Sequence, residues 1–551
     1  MPDPVLIRDA RIIDGTGAPW FRGDVLLRDG RVAAMGAGLP AGGATVVEAG
    51  GRFLAPGFID AHAHDDLIFL REPDRPEKAR QGVTSVVVGN CSFSLYPKNP
   101  GSEEALRAHF AGLLGPTAAA ETFRGVAQYR ERLEAQGIAI NLVSLVGHGA
   151  LRLAVMGGAR RTATAEEIAA MSALLETQLR DGAIGLSLGL VYPPSAFAED
   201  AELLALAHTV ARCGKVLTAH VRSYEAKLVE AIEEFLALLR ASGARGLLSH
   251  LQAAGRPNWG SIPRALARLE QARAEGVDVS FDMYPYLAGS TSLLQLLPPA
   301  VLDGGIAALL PRLRDEAFLG ELRRYVEGGE PDAAGAISKV VLIGWENVRI
   351  SAVATEALKH LEGRSVAEAA ALEGTEPFAM MVQLILRDEG QTGVVLFQLD
   401  ENDLRAAFTH PLHMVGSDGL PRPGTRPHPR AFGTFPRVAG RLVRESGWFT
   451  LEDAVRRMTS VAAQRFGLDD RGLLRPGMAA DLVMFDAAVT DHASFDDPTA
   501  LPGGIVDVWV RGERILEGGA PTGARPGRLL AGGMAPDAEG PQTGRSGGAM
   551  P

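Results

Sequence analysis

Two histidines two positions apart, His62 and His64, close a short apolar run that reads GFIDAHAH. On an extended strand residues two apart point to the same face, so both imidazoles face one way and make a bidentate start for a zinc ion. Other apolar runs end in the same manner: one at Cys91 (TSVVVGNC), one at His220 (VLTAHVR), one at His250 (GLLSHLQ) and one at Asp418 (HMVGSDG). Zinc favours thiolate and imidazole, and catalytic sites use three protein ligands with one open position. Cys91, His220 and His250 make such a set, and the Cys91 thiolate could also bridge to a second metal at His62 and His64. Asp418 could ligate metal or act as acid/base, taking a proton from an activated water and returning it to a leaving nitrogen. Each residue also has a plainer reading. Cys91 could be a buried structural cysteine, Asp418 a turn former in Ser417-Asp418-Gly419, and the histidines satisfied polar groups of a core. The recurrence of metal-type residues at matching strand ends favours the metal. Cys213, inside the helical LALAHTVARCGKV, is assigned to structure alone.

The elements that must bring these residues together are legible in the middle of the chain. Eight strand-like runs alternate with helical stretches such as AEEIAAMSALLETQLRDG and SIPRALARLEQARAEG. Near-continuously apolar strands separated by helices predict a parallel sheet covered by helices. Eight repeats predict a closed (β/α)8 TIM-like barrel, whose strand ends converge on the rim where such barrels carry their chemistry. The barrel is assigned to 57–467. Residues 1–56 and 468–525 carry short strands and Gly/Asp turns, which predicts one small composite β-sandwich domain built from both termini. The connection between the seventh and eighth strands, about 287–411, is long enough for an inserted subdomain. It contains two helical stretches and a strand-like KVVLIGW. The Gly/Pro-rich 532–551 reads as a disordered tail.

The 551 residues carry a formal charge of −11 with no basic cluster, which argues against nucleic acid as a partner. No apolar run reaches the length of a membrane span, and the first residues lack the pattern of a signal peptide. Two cysteines in separate segments make a disulfide framework improbable and fit a reducing cytoplasm. Oligomeric state is not readable.

The ordered blocks PGFIDAHAHDD, QGVTSVVVGNCSFSLYP, GLSLGLVYPPSAF, FDMYPYLAGST, and GSDGL followed by RPHPRAFGTFPRV resemble those of the D-aminoacylases, N-acyl-D-amino-acid deacylases of the amidohydrolase superfamily. The resemblance extends to about residue 520. It implies a tightly bound zinc on Cys91, His220 and His250. It also implies a weaker second position using His62, His64 and Asp418, with Cys91 as the bridge and Asp418 as base and then acid. It further implies that Arg430 and Tyr284 bind a substrate carboxylate, with Tyr192 and Ser290 lining the pocket. Chemically this is reasonable, because a guanidinium pairs with carboxylate and a phenol adds another hydrogen bond.

One block departs from the family. Relatives commonly carry a lysine where this chain reads Ser249-His250-Leu251-Gln252, so neutral Gln252 replaces a substrate-binding cation. The cation could be placed elsewhere, on Arg222 or Arg426. The expected activity is zinc-dependent hydrolysis of the amide of a small N-acyl-D-amino acid or similar N-acyl compound. The attacking species is a metal-activated hydroxide. A hydantoinase-like or isoaspartyl dipeptidase-like hydrolase of cyclic amides or dipeptides is the alternative, and a barrel without catalysis is a third reading.

Overall fold

Each of the eight strand-like runs counted toward the barrel becomes a strand. A computed structural model describes residues 3–532 apart from 160 and 334. The parallel strands, numbered along the chain, are β1 (Phe58–Asp60), β2 (Val83–Val88), β3 (Asn141–Ser144), β4 (Gly185–Gly189), β5 (Val216–His220), β6 (Arg245–Leu248), β7 (Val279–Met283) and β8 (His413–Val415). They form two arcs, β1 to β3 and β4 to β8, and the second begins with the short pair Val146–Gly147 that continues β3. The arcs meet at both edges. Ala61 N donates to Val415 O at 3.1 Å and His64 N to Gly419 O at 3.0 Å, while Ile184 N donates to Ser144 O at 2.9 Å.

Helices cover the outside. The Ala165–Arg180 helix starts where Thr164 and Glu167 form a reciprocal capping box, which satisfies two backbone donors that would otherwise have no partner. The predicted helix after β6 runs over Ile262–Ala274, with Pro263 in its first turn where a missing N–H costs nothing. Ile59, Val87, Val143, Leu247 and Met414 belong to one buried cluster with Phe466 and Leu468, so the helix Ser460–Phe466 and the residues after it close one end of the strands with apolar side chains. Polar chemistry is left to the other end.

The terminal segments share one sheet. Leu482–Thr490 pairs antiparallel with Phe53–Pro56, which lies parallel to Val5–Ile12. The nine strands form a single hydrogen-bonded sheet. At its edge Val32 N bonds Met478 O and Ala480 N bonds Gly30 O, so the sheet curls back on its own C-terminal strands. A difference from the expected boundaries lies beyond 525. Leu529–Leu530 pairs parallel to Leu142 and Val143 of β3, and the Lys215 amine donates to Gly532 O at 3.0 Å. The short apolar pair inside a Gly/Pro-rich stretch gave no periodicity to read. Apart from Gly532, the predicted tail lies outside the described residues.

The connection from β7 to β8 carries its own antiparallel sheet, Ala288–Ser292, Gly393–Phe397 and Val348–Ala352, and several helices. Leu293, Leu309, Ile350, Met380 and Leu384 form a core of their own there, separate from that of the strands β1 to β8. The strand-like KVVLIGW is instead a short helix, Lys339–Ile343, capped by the Ser338 side chain. A single turn with Ser at its start satisfies backbone donors that an unpaired strand would leave bare.

Candidate metal centre

The strand ends bring the singled-out residues together, and all but the fully buried His62 line one pocket. His62 and His64 follow β1, Cys91 lies three residues past β2, His220 is the last residue of β5, His250 lies two past β6 and Asp418 three past β8. Cys91, His250 and Asp418 all have positive φ, at 52°, 35° and 48°, although none is glycine. Such backbone costs roughly 1–3 kcal/mol per residue and persists only where its surroundings over-determine it, commonly at functional sites. The Cys91 turn is fixed by neighbours: a Cβ on Gly189 would meet Cys91 O at 2.2 Å, so only glycine fits beside it on β4.

Two groups of donors converge. Cys91 Sγ lies 3.3 Å from His62 Nε2 and 3.6 Å from His250 Nε2. Asp418 Oδ1 lies 3.5 Å from His62 Nε2 and 3.2 Å from His64 Nε2. The ligand atoms of Cys91, His62 and His250, and those of His62, His64 and Asp418, all lie within 4.8 Å of one another in each trio. His220 stands outside both trios but beside them, its ring 4.6 Å from that of His250. Its Nδ1 and that of His64 are buried without a protein partner among the described residues.

The electrostatics fit a cation. Burial opposes ionisation of Cys91, but His62 and hydrogen bonds from the other imidazoles outweigh it and hold the thiol well below its ordinary range. Burial likewise opposes ionisation of Asp418, and the Arg430 guanidinium with His64 overcomes it. Burial disfavours charge on His62, yet Asp282 and Cys91 draw it toward the protonated form. Two acidic donors, Cys91 and Asp418, both favoured in the ionised form, among buried imidazoles make a set suited to a divalent metal, with the imidazoles neutral when they ligate.

Sequence reasoning missed Asp282 on β7. Its Oδ2 lies 3.2 Å from His62 Nδ1 and its Oδ1 accepts from His250 N at 2.9 Å. A lone acid inside the apolar FDM run was the available signal. A second missed group lies behind Asp418: Lys78 Nζ sits 2.6 Å from Asp60 and 3.0 Å from Asp65, and Asp60 accepts from both the N–H and the hydroxyl of Ser417. This buried network clamps the turn that presents Asp418.

The predicted substrate residues stand around the donors. Tyr192, Gln252, Tyr284 and Ser290 line the same pocket as Cys91, His220, His250 and Asp418. Arg430, fully buried, bonds Asp418 Oδ2 at 2.9 Å and has its guanidinium carbon 4.5 Å from the centre of the Tyr284 ring. Its Nε and Nη1 are buried donors without a protein partner among the described residues. Tyr284 OH donates to Gln252 Oε1 at 3.1 Å. Arg222 and Arg426 do not replace the missing lysine. The first is tied to Glu234 and two carbonyls and the second to Asp496 O, and neither lines the pocket. A cation does arrive from the insertion: Lys339 lines the pocket, paired with Glu225.

Residues 45–516 match the model of the Amidohydrolase family. The chain belongs to this family. It is 39% identical to an N-acyl-D-glutamate deacylase of Alcaligenes xylosoxydans xylosoxydans, covering 96% of each protein. It is 37% identical to a D-aminoacylase of the same organism over 96% of this chain and 98% of that one. Among solved structures, the N-acyl-D-glutamate deacylase from Bordetella bronchiseptica, complexed with zinc and a phosphonate mimic of the tetrahedral intermediate, superposes with a TM-score of 0.81 at 37% identity. That match covers 96% of this chain and 100% of the other. The amidohydrolase chain thus has the TIM-barrel-like D-aminoacylase fold. Among its described residues no helix is long and apolar enough to cross a membrane.

Proposed function

We propose that this amidohydrolase is a zinc-dependent N-acyl-D-amino-acid deacylase acting on small N-acyl substrates. The observation that carries the reading is one pocket in which a thiolate–imidazole donor cluster adjoins an Asp418 gripped by Arg430. The deacylase relatives, one of them complexed with zinc, supply the D configuration and the metal. Cys91, His220 and His250, with His62, His64 and Asp418, are the residues that would hold zinc. His62, 3.3 Å from Cys91, belongs to both donor trios. A zinc ion there supplies a Lewis acid and lowers the pKa of water.

The chain's own residues do the rest. Asp418, kept ionised, accepts the proton of the attacking water and delivers it to the leaving amine nitrogen. Arg430 holds Asp418 by one donor and keeps Nε and Nη1 for the substrate carboxylate, where a charged acceptor would end their lack of partners. Tyr284 covers the guanidinium face and ties Gln252 in place, and Tyr192 and Ser290 shape the wall. The architecture that supports this is a closed eight-stranded barrel at 57–467, with a composite β unit from 1–56 and 468–525. The insertion at about 287–411 delivers Lys339 and Ser290. Two free cysteines accord with a reducing cytoplasm.

The test is acyl release by the zinc-loaded protein from matched N-acetyl-D- and N-acetyl-L-amino acids, with Asp418→Asn beside the wild type. Release confined to the D series and lost in the variant is expected. Full zinc occupancy with neither enantiomer cleaved overturns the reading.

A further inference from the structure

The cavity lined by most of the candidate metal donors is small, about 70 Å³. A second cavity of about 370 Å³ opens beside it, and Leu113, Tyr192 and Gln295 line both. Three pieces of chain build most of this second space, with Phe93, Leu153 and Gly158 completing it. Ala105, Ala108, His109 and Leu113 lie on one face of the helix Glu103–Leu114, at the spacing that stacks side chains along a helix. The loop after β4 adds Tyr192 to Pro194, and the insertion adds Leu294, Leu302 and Ile306.

The partition between the two cavities is aromatic. Phe93 stacks on His109 at 4.3 Å and meets Tyr192 at 5.1 Å, and its ring is 6.4 Å from that of His64. None of the described residues lining the larger cavity is an acid, a lysine or an arginine. Burial holds His109 neutral, with its pKa lowered to about 4. A charged group entered there would lose its hydration without gaining a partner, whereas an alkyl chain would be favoured.

We propose that this cavity is an acyl-chain subsite, and that the preferred substrates are N-acyl-D-amino acids carrying a straight alkyl acyl group of medium length. The proposal rests on the deacylase reading. Two observations assign the space to the acyl group rather than to the amino-acid side chain. Its volume exceeds what one side chain fills. Moreover, Arg430, where the carboxylate end binds, contacts Tyr284 and Ser290, and neither lines the larger cavity. The amino acid's side chain, attached next to that carboxylate, stays on the Arg430 side, while the acyl group leaves the reacting carbon toward Leu113 and Tyr192.

The test uses the zinc-loaded enzyme and N-acetyl, N-butyryl, N-hexanoyl and N-octanoyl derivatives of one D-amino acid. A parallel series of N-acetyl compounds carries D-alanine, D-norvaline and D-norleucine. The expected result is kcat/KM rising about threefold per added acyl methylene until the cavity is filled, with a far smaller response to side-chain length. Ala108→Trp and Leu302→Trp, which fill the cavity from two different pieces of chain, each collapse the octanoyl-to-acetyl ratio toward one. A rate that follows the side-chain series instead, or a ratio untouched by both variants, overturns the proposal. Calorimetry of octanoate against acetate reads the same subsite without turnover. Absent hydrolysis with at least tenfold tighter octanoate binding, lost in Ala108→Trp, sinks the deacylase reading and keeps the subsite. Equal binding of the two acids sinks the subsite.

Discussion

Asp282 reaches under the metal-site donors and places Oδ2 3.2 Å from Nδ1 of His62, with both side chains fully buried. A carboxylate on the far nitrogen of a ligating imidazole fixes its tautomer and raises its basicity. Asp282→Asn keeps an oxygen for His250 N–H but turns a donor toward His62. Zinc affinity is expected to fall about 10–100-fold, read by competition with a chromophoric chelator, while the melting temperature moves little. Unchanged affinity would remove Asp282 from the site.

Cys91 is the one sulfur donor among the described residues lining the pocket, and its neighbouring imidazoles hold the thiol well below its ordinary range. Cys91→Ala is expected to purify without stoichiometric zinc and without turnover. Cys91→Ser should keep the fold and recover metal only at high free zinc. Elemental analysis beside circular dichroism checks both. Full zinc in the alanine variant would return Cys91 to a structural role.

Arg430 bonds Asp418 and, on the proposed reading, also meets the substrate carboxylate. Loss of a charge-assisted hydrogen bond is worth about 1.5–3 kcal/mol, so Arg430→Gln is expected to raise KM about tenfold or more for substrates with a free carboxylate. The same variant should raise it far less for the corresponding carboxamides. Asp418→Asn, in contrast, lowers kcat by about 10²–10⁴ for acids and carboxamides alike. Steady-state kinetics on the two substrate types separates the roles.

His109 supplies a pH signature of the apolar cavity. The fold holds it neutral down to about pH 4, whereas an unfolded histidine takes up its proton near 6.5. Between those values the unfolded chain binds more protons. The stability tied to a neutral His109 is therefore whole above pH 6.5 and is lost as pH falls toward 4. The loss is on the order of 2 kcal/mol. His109→Gln is expected to narrow the gap between urea midpoints at pH 7 and pH 4.5. An unchanged gap would mean that other groups carry the acid sensitivity.

The strand count and the donors at strand ends were legible because both are local: short apolar runs, five of the eight closed by a residue of metal type. Asp282 was not, since a single acid inside FDM looks like any strand residue until His62 is folded against it. The clamp of Lys78, Asp60 and Ser417 escaped for the same reason; its members are far apart in the chain and ordinary in type. Lys339 was misread because KVVLIGW is apolar and too short to show a period, and a cap at Ser338 turned it helical. The Leu529–Leu530 pairing needed a partner, β3, that no neighbouring residue announces.

The curled terminal sheet sets a timetable for the molecule. Leu54 is registered against Met484, and β3 receives Leu529 and Leu530 from the last described residues. A chain that emerges from its N-terminus first must keep the edge of Phe53–Pro56 open until nearly everything else has been made. Pairings of such sequence separation are slow to form and leave strand edges exposed meanwhile. Shortened chains ending before residue 482 therefore have no partially active state to fall back on; they are candidates for chaperone capture rather than for smaller enzymes.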